Sequence, residues 1–274
     1  MKALIKKKLL EFLEEDMPYG DVTAIPTKDV EAVIVSKGEG VLAGVGVVKI
    51  LFDLAEIVVM ESKKDGEPIK PGDVVMRLRG KSDSILATER LAINILMRMS
   101  GIATATAKMV ERARRVNPKV VVAATRKTTP GFRIFEKMAV EIGGGDAHRF
   151  SLSDCLMLKD NHIAVAGSLE RAMKVKRSFT KKLEVEVGSV GDAIKAAEFG
   201  ADIIMLDNFT PEMVAEAVEE LRRRGLREKV IIEVSGSVTP ENVAEFAAMD
   251  VDVISSGYIT HSAPALDFSL RVLQ

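Results

Sequence analysis

The sequence predicts an α/β protein: a small N-terminal α+β domain over residues 1–104, then a (β/α) barrel over residues 105–263. Three observations carry this reading. From about Lys119, short apolar strands alternate with amphipathic helices, the pattern of a parallel sheet or a barrel. Polar residues recur where successive strands end: Arg126-Lys127, Lys159-Asp160, Glu186 and Asp207. The last two strands close in small turns, Ser235-Gly236 and Ser255-Ser256-Gly257. In a barrel the C-terminal strand ends converge on one mouth, whereas an open doubly wound sheet concentrates function at one switch point. Two successive Ser/Gly turns favour a phosphate site beside helix N-termini, although Ser and Gly are also ordinary turn formers.

The elements follow in order. Residues 4–15 read as a short amphipathic helix with Leu4, Ile5, Leu9, Leu10, Phe12 and Leu13 apolar. Asp16 to Thr23 is turn chemistry around Pro18 and Gly20. Val30 to Val48 alternates β-branched residues with Gly and reads as strands with tight turns. Lys70 to Arg79 is a turn and a strand, and Ser84 to Val116 a long helix interrupted near Ser100-Gly101. The barrel strands are expected at Val120–Thr125, Cys155–Leu158, Leu183–Val187, Ile203–Leu206, Val230–Val234 and Val251–Ser255. Helices are expected at Ser168–Ser178, Val190–Phe199, Pro211–Arg224 and Pro240–Met249. Thr210-Pro211 and Thr239-Pro240 each place a capping Thr before a Pro suited to the first helical position.

Composition excludes several classes. The 274 residues balance 39 Lys+Arg against 40 Asp+Glu, a formal net charge of -1. That lacks the basic surplus of a bulk nucleic-acid binder, and two Tyr with no Trp leave little to stack bases on. The single Cys155 sits in an apolar run and reads as a buried, inert thiol. The N-terminus is charged and amphipathic without a long uncharged core, and no apolar stretch approaches the ~20 residues of a membrane span. A cytoplasmic protein is expected. Scarce amides (five Asn, one Gln) among many charges suggest a heat-adapted source.

The chemistry concentrates between Thr125 and Ile163. Arg126, Lys127, Arg133, Lys137, His148, Arg149 and Lys159 cluster there around Gly143–Gly145. Arg offers a planar fork and Lys a point charge, so these cations suit a small, densely anionic ligand. Glu186 and Asp207 add carboxylates, which could hold Mg²⁺ against phosphate oxygens or stabilise a cationic, sugar-like transition state. Ser235, Gly236, Ser256 and Gly257 add hydroxyls and backbone N–H groups. Glu184 and Glu186 alternate onto one strand face, the barrel interior, where an unpaired carboxylate is costly; at least one should meet a cation or metal. Asp207 could instead cap the next turn, and His162 and His261 could be ordinary structural histidines. No clustered Cys/His spacing, nucleophile elbow, Walker sequence or dinucleotide fingerprint occurs.

The motifs EDMPYGDVT (15–23), ERLAINILMRMSGIAT (89–104), ATRKTTPG (124–131), GGGDAHR (143–149) and LKDNHI (158–163) resemble the quinolinate phosphoribosyltransferase family. EVEV (184–187), MLDN (205–208), EVSGSVT (233–239) and THS (260–262) extend the resemblance over nearly the whole chain. It implies an incomplete barrel of the type II phosphoribosyltransferase kind, with residues 264–274 returning to the N-terminal domain. It implies a homodimer in which Arg90 is donated to the neighbouring subunit. Arg126, His148, Arg149 and Lys159 would surround the dicarboxylate, and Lys127 and Lys159 would approach the pyrophosphate. Glu186 and Asp207 would serve the ribose and Mg²⁺, while Ser235, Gly236, Ser237 and Gly257 would hold the 5′-phosphate. The implied reaction joins quinolinate to phosphoribosyl pyrophosphate with loss of CO2. The alternatives are the same transfer to nicotinate or another aromatic acid without decarboxylation, and a non-catalytic phosphometabolite-binding protein. Three positions depart from the family pattern: Ala147 for a usual Asn, Ser151 for a frequent Gly, and Ser237 for the second Gly of the phosphate loop.

Overall fold

A computed structural model describes residues 1–23, 26–175 and 179–273. The chain forms two compact units: Met1–Ala105 with Ile134–Gly143 and Ala263–Gln274, and Thr106–Arg133 with Gly144–Ser262.

The first unit is built on an antiparallel sheet of order β12-β1-β5-β3, with β1 (Asp29–Ser36), β3 (Val58–Ser62), β5 (Val74–Lys81) and β12 (Phe268–Val272). The C-terminal segment thus supplies an edge strand, Ile34 opposite Leu270. Helix α1 (Lys2–Asp16) buries Ile5 and Leu9 and sets the ring of Phe12 5.9 Å from that of Phe135 on α4 (Arg133–Ile142). Phe135 and its neighbour Glu136 are fully buried, and Glu136 accepts from Arg98 at 2.9 Å. These contacts tie residues 134–143 to the first unit, although they lie within the stretch expected to be barrel.

Two local expectations fail here. The strand pattern of Val30–Val48 stops at the short β2 (Gly40–Val41), which pairs with β4 (Pro68–Ile69), and Val45–Leu54 is helix α2. Gly44 turns the chain at φ +102°, and the Asp65 carboxylate accepts from the N–H groups of Val45 (2.8 Å) and Gly46 (3.0 Å). A cap from 20 residues downstream overrides the β-branched local preference. Helix α3 (Ser82–Val116) runs unbroken through Ser100-Gly101. Ser100 Oγ is not a breaker; it donates to the carbonyl of Ala43 and accepts from its N–H. Gly101 is small because a Cβ there would lie 2.1 Å from the carbonyl oxygen of Pro264.

The second unit is a six-stranded parallel sheet. Its strands are β6 (Val121–Ala124), β7 (Leu156–Leu158), β8 (Leu183–Val187), β9 (Ile203–Asp207), β10 (Ile231–Ser235) and β11 (Val253–Ser256), in the order β6-β11-β10-β9-β8-β7. Among the described residues no ladder joins β6 to β7, so the barrel is incomplete. Helix α8 (Pro211–Arg223) begins as the sequence requires: Thr210 Oγ1 accepts from the N–H of Met213, and Pro211 opens the helix. The second Thr-Pro pair does not behave this way, and helix α9 covers only Val243–Ala247. Asn242 takes the N–H of Thr239 and donates to the carbonyl of Ser237, while Thr239 Oγ1 takes the N–H of Glu241. These local bonds compete with the first helical turn. The helix expected at Ser168–Ser178 is the short α6 (Leu169–Ala172); its expected end, 176–178, lies outside the described residues, as does Gln274. Helix α7 (Val190–Glu198) matches, and α5 (Asp160–Ala166) and α10 (Tyr258–His261) were not anticipated. Among the described residues no helix is long and apolar enough to cross a membrane.

Gly101→Ala should lower stability by about 2–3 kcal/mol, because backbone at 264–265 must shift to admit the methyl group. Urea unfolding that matches wild type would refute this account of α3.

Candidate active site

Parallel strands alternate side chains between two faces, so residues two apart share the inner face. In β8 and β10 this sends Glu184 and Glu186, and Glu233 and Ser235, to one side. A cavity of about 410 Å³ opens above them. Arg126, Lys127, His148, Arg149 and Lys159 supply its cations and imidazole, and Glu186, Asp207 and Glu233 its carboxylates. Ser235, Ser255 and Thr125 supply hydroxyls. A second cavity of about 160 Å³ shares Thr125, Lys127 and Ser235 and adds Gly236, Ser237, Ser256 and Gly257. A charged chamber therefore adjoins a small Ser/Gly cradle, both within the second unit.

The cradle tolerates little change. Gly236 has φ +91°, and a Cβ there would sit 2.2 Å from Asn208 Oδ1. At Gly257 a Cβ would meet His261 Nε2 at 2.7 Å and Lys127 Cδ at 3.2 Å. Ser237 stands at φ +47°, a left-handed backbone that normally calls for Gly and costs a non-Gly residue on the order of 1 kcal/mol. The exposed Ser237 keeps its N–H in the loop, so the departure from Gly preserves the cradle's donor. The Ser256 hydroxyl is committed inside the loop: it donates to the carbonyl of Val238 (2.5 Å) and accepts from the N–H of Tyr258 (3.1 Å).

In the chamber, Lys159 Nζ pairs with Glu186 Oε2. Asp207 accepts from the Asn208 amide at 2.7 Å, so it does not cap a following helix turn with its side chain. Glu186 and Asp207 are hard oxygen donors on neighbouring strands, a set that suits Mg²⁺ shared with phosphate oxygens. Arg126 Nε is buried without a hydrogen-bond partner among the described residues, a donor that a carboxylate would satisfy.

Deeper in the sheet, His148 Nε2 lies 3.0 Å from Glu233 Oε2. Glu184 and Glu233 are 0% and 1% exposed, and neither Glu184 oxygen has a hydrogen-bond partner among the described residues. Burial first, and the Glu233 charge second, push the Glu184 carboxyl up to about 7; His148, Arg149 and Lys159 oppose the shift. Of the two strand-face carboxylates, Glu186 finds the cation and Glu184 stays protonated at mildly acid pH.

Several expected residues fall elsewhere. Arg133 bonds Thr128 Oγ1 and the carbonyl of Phe150, and Lys137 is 3% exposed on α4 in the first unit. Arg90 is exposed on α3, also in the first unit. Ala147 and Ser151 do not line the chamber; Ser151 faces Asp154, which takes its N–H at 2.7 Å. Cys155 is half-buried, not fully buried; its Sγ donates to the carbonyls of Leu156 and Lys182, and burial raises its pKa, which disfavours the thiolate. His162 is structural, accepting the Lys159 N–H at the start of α5. His261 instead lines the cradle. Glu233 was missed, although its spacing from Ser235 is the same two-residue signal that selected Glu184 and Glu186.

Residues 18–100 match the N-terminal domain and residues 102–271 the C-terminal domain of quinolinate phosphoribosyl transferase. This chain belongs to that family. It is 49% identical over 269 residues to a probable carboxylating nicotinate-nucleotide pyrophosphorylase of Methanothermobacter thermautotrophicus, covering 96% of each chain. It is 40% identical to the carboxylating nicotinate-nucleotide pyrophosphorylase of Homo sapiens, covering 95% of this chain and 89% of that one. The nicotinate-nucleotide pyrophosphorylase structure from Francisella tularensis superposes with a TM-score of 0.91 at 34% identity, covering 100% and 97% of the two chains. The mixed α/β fold with a small first domain and a parallel second sheet is thus the family's fold.

A raised carboxyl pKa has a defined effect on stability. Below the unfolded value near 4.5 Glu184 is protonated in both states, and its contribution is lost as pH rises through about 7. Glu184→Gln should therefore gain stability relative to wild type between pH 5 and pH 8, by roughly 2–3 kcal/mol. Parallel urea-stability curves for the two proteins would show that Glu184 ionises normally.

Proposed function

We propose that this chain transfers the phosphoribosyl group of phosphoribosyl pyrophosphate to quinolinate with decarboxylation. The products are nicotinate mononucleotide, pyrophosphate and CO2, a step of NAD synthesis. The observation that carries the reading is the joining of a cation-lined chamber with two carboxylates to a Ser/Gly cradle, in a chain of this family.

The residues divide the work by charge. Arg126 and Arg149 orient the two carboxylates of the acid through paired N–H bonds. The Gly236–Ser237 and Gly257 loops hold the 5′-phosphate through backbone N–H groups. With both substrates held, the pyridine nitrogen attacks C1 of the ribose as the pyrophosphate oxygen departs. Glu186 and Asp207 stabilise the positive charge that develops on the sugar. Lys127 and Lys159 neutralise the leaving group. Glu186 and Asp207 would hold Mg²⁺, which when bound would add to the neutralisation of the pyrophosphate. Attack leaves a pyridinium, whose charge stabilises the carbanion formed when CO2 leaves C2, and uptake of a proton at C2 gives nicotinate mononucleotide. Ala147 and Ser151 stand outside the chamber wall, which favours the family's usual acid over another base.

The enzyme works as a homodimer in the cytoplasm, and Arg90 of one protomer completes the acid site of its partner. The exposure of Arg90 supports this reading. Carboxyl-labelled quinolinate with phosphoribosyl pyrophosphate and Mg²⁺ should yield labelled CO2 and nicotinate mononucleotide. Product from nicotinate alone, without CO2, would overturn the substrate assignment, and binding without turnover would favour a binding protein. Arg90→Ala should lose at least about tenfold in kcat/KM for the acid. Activity should return in part when it is mixed with an Asp207→Asn protomer; heterodimers without rescue would remove the shared site.

A further inference from the structure

The cradle loop that follows β10 is held from outside through its carbonyls. Asn242 Nδ2 donates to the Ser237 carbonyl at 3.2 Å, and Asn242 Oδ1 accepts the N–H of Thr239 at 2.8 Å. Ser256 Oγ donates to the Val238 carbonyl, and Arg112 of α3 donates to the Pro240 carbonyl at 2.6 Å. A trans peptide points its C=O and the following N–H in opposite directions. A Ser237 carbonyl drawn to Asn242 therefore turns the Val238 N–H away from Asn242. Val238 is 2% exposed and lines the Ser/Gly cradle. Among the described residues no protein acceptor takes the N–H groups of Gly236, Ser237 or Val238. A buried N–H without a partner is costly, so this run of donors calls for an acceptor brought in by a ligand. The conformation that presents them is strained, because Ser237 stands at φ +47°. Without Asn242, Ser237 would relax towards negative φ and the peptides on either side would turn with it.

We propose that Asn242 is a positioning residue for the sugar phosphate: it holds the Ser237–Val238 peptide against the strain at Ser237 and so presents the Val238 N–H to the 5′-phosphate. The inference rests on the cradle being the seat of that phosphate. Asn242 lines neither cavity and acts only through the loop. Its loss therefore disturbs recognition of the sugar phosphate and leaves recognition of the acid, in the adjoining chamber, intact.

Asn242→Leu removes both amide bonds. It should lower kcat/KM for phosphoribosyl pyrophosphate by roughly tenfold while KM for quinolinate holds. Ser237→Gly relieves the left-handed strain, so adding it to the Asn242→Leu protein should recover roughly fivefold, whereas Ser237→Gly alone should change little. General loosening of the protein would weaken both substrates and would not respond to Ser237→Gly. Titration calorimetry with ribose 5-phosphate repeats the comparison without turnover: the wild type should bind, and Asn242→Leu should bind roughly tenfold more weakly. Unaltered ribose 5-phosphate affinity in folded Asn242→Leu, equal loss for both substrates, or no recovery on adding Ser237→Gly would overturn the inference. If Asn242→Leu does not fold, the wild-type Val238 amide decides. Ribose 5-phosphate should move its ¹⁵N–¹H resonance downfield, and an unmoved resonance refutes the assigned contact. An Asn242-dependent ribose 5-phosphate affinity in a protein with no quinolinate turnover would uphold the inference and sink the proposed reaction.

Discussion

The two-residue period of parallel strands is the constraint on which the site depends. It forces Glu184 to share an inner face with Glu186, and Glu233 to share one with Ser235. A one-residue slip would send these carboxylates outward and apolar neighbours such as Val185 and Val234 into the chamber. Backbone pairing and chemistry are therefore specified by the same register, Glu186 beside Met205 and Ser235 beside Asp207.

That register creates two environments from one residue type. The outer carboxylates, Glu186 and Asp207, meet Lys159 and the Asn208 amide, where water and ligand have access. The inner pair has almost no solvent, and Glu184 answers by holding its proton. Desolvation, the largest influence, outweighs the attraction of Arg149 and Lys159. A chamber lined by Arg and Lys therefore holds one carboxyl pushed up to about 7 by burial, two residues from another that pairs with Lys159.

The cradle is governed by space where the chamber is governed by charge. Gly236 and Gly257 are fixed by atoms that leave no volume for a methyl group. Ser237 shows that the left-handed backbone itself can be held without Gly, given Asn242 bonding the Ser237 carbonyl. Ser256, read from the sequence as a phosphate contact, lends its hydroxyl to shaping the loop.

The sequence by itself determined the alternation of strands and helices after Lys119, the convergence of cations and carboxylates at strand ends, and the family, whose motifs are short and contiguous. These depend on local periodicity and neighbouring residues, which a sequence displays directly. Tertiary structure decided whatever depended on distant partners. Asp65 made Val45–Leu54 a helix, Pro264 explained Gly101 inside an unbroken α3, and Arg98 drew Glu136 and its helix into the first unit. It also brought Glu233 to His148, 85 residues apart, a pairing that no spacing rule connects because the two meet only when β10 and the loop before β7 fold together.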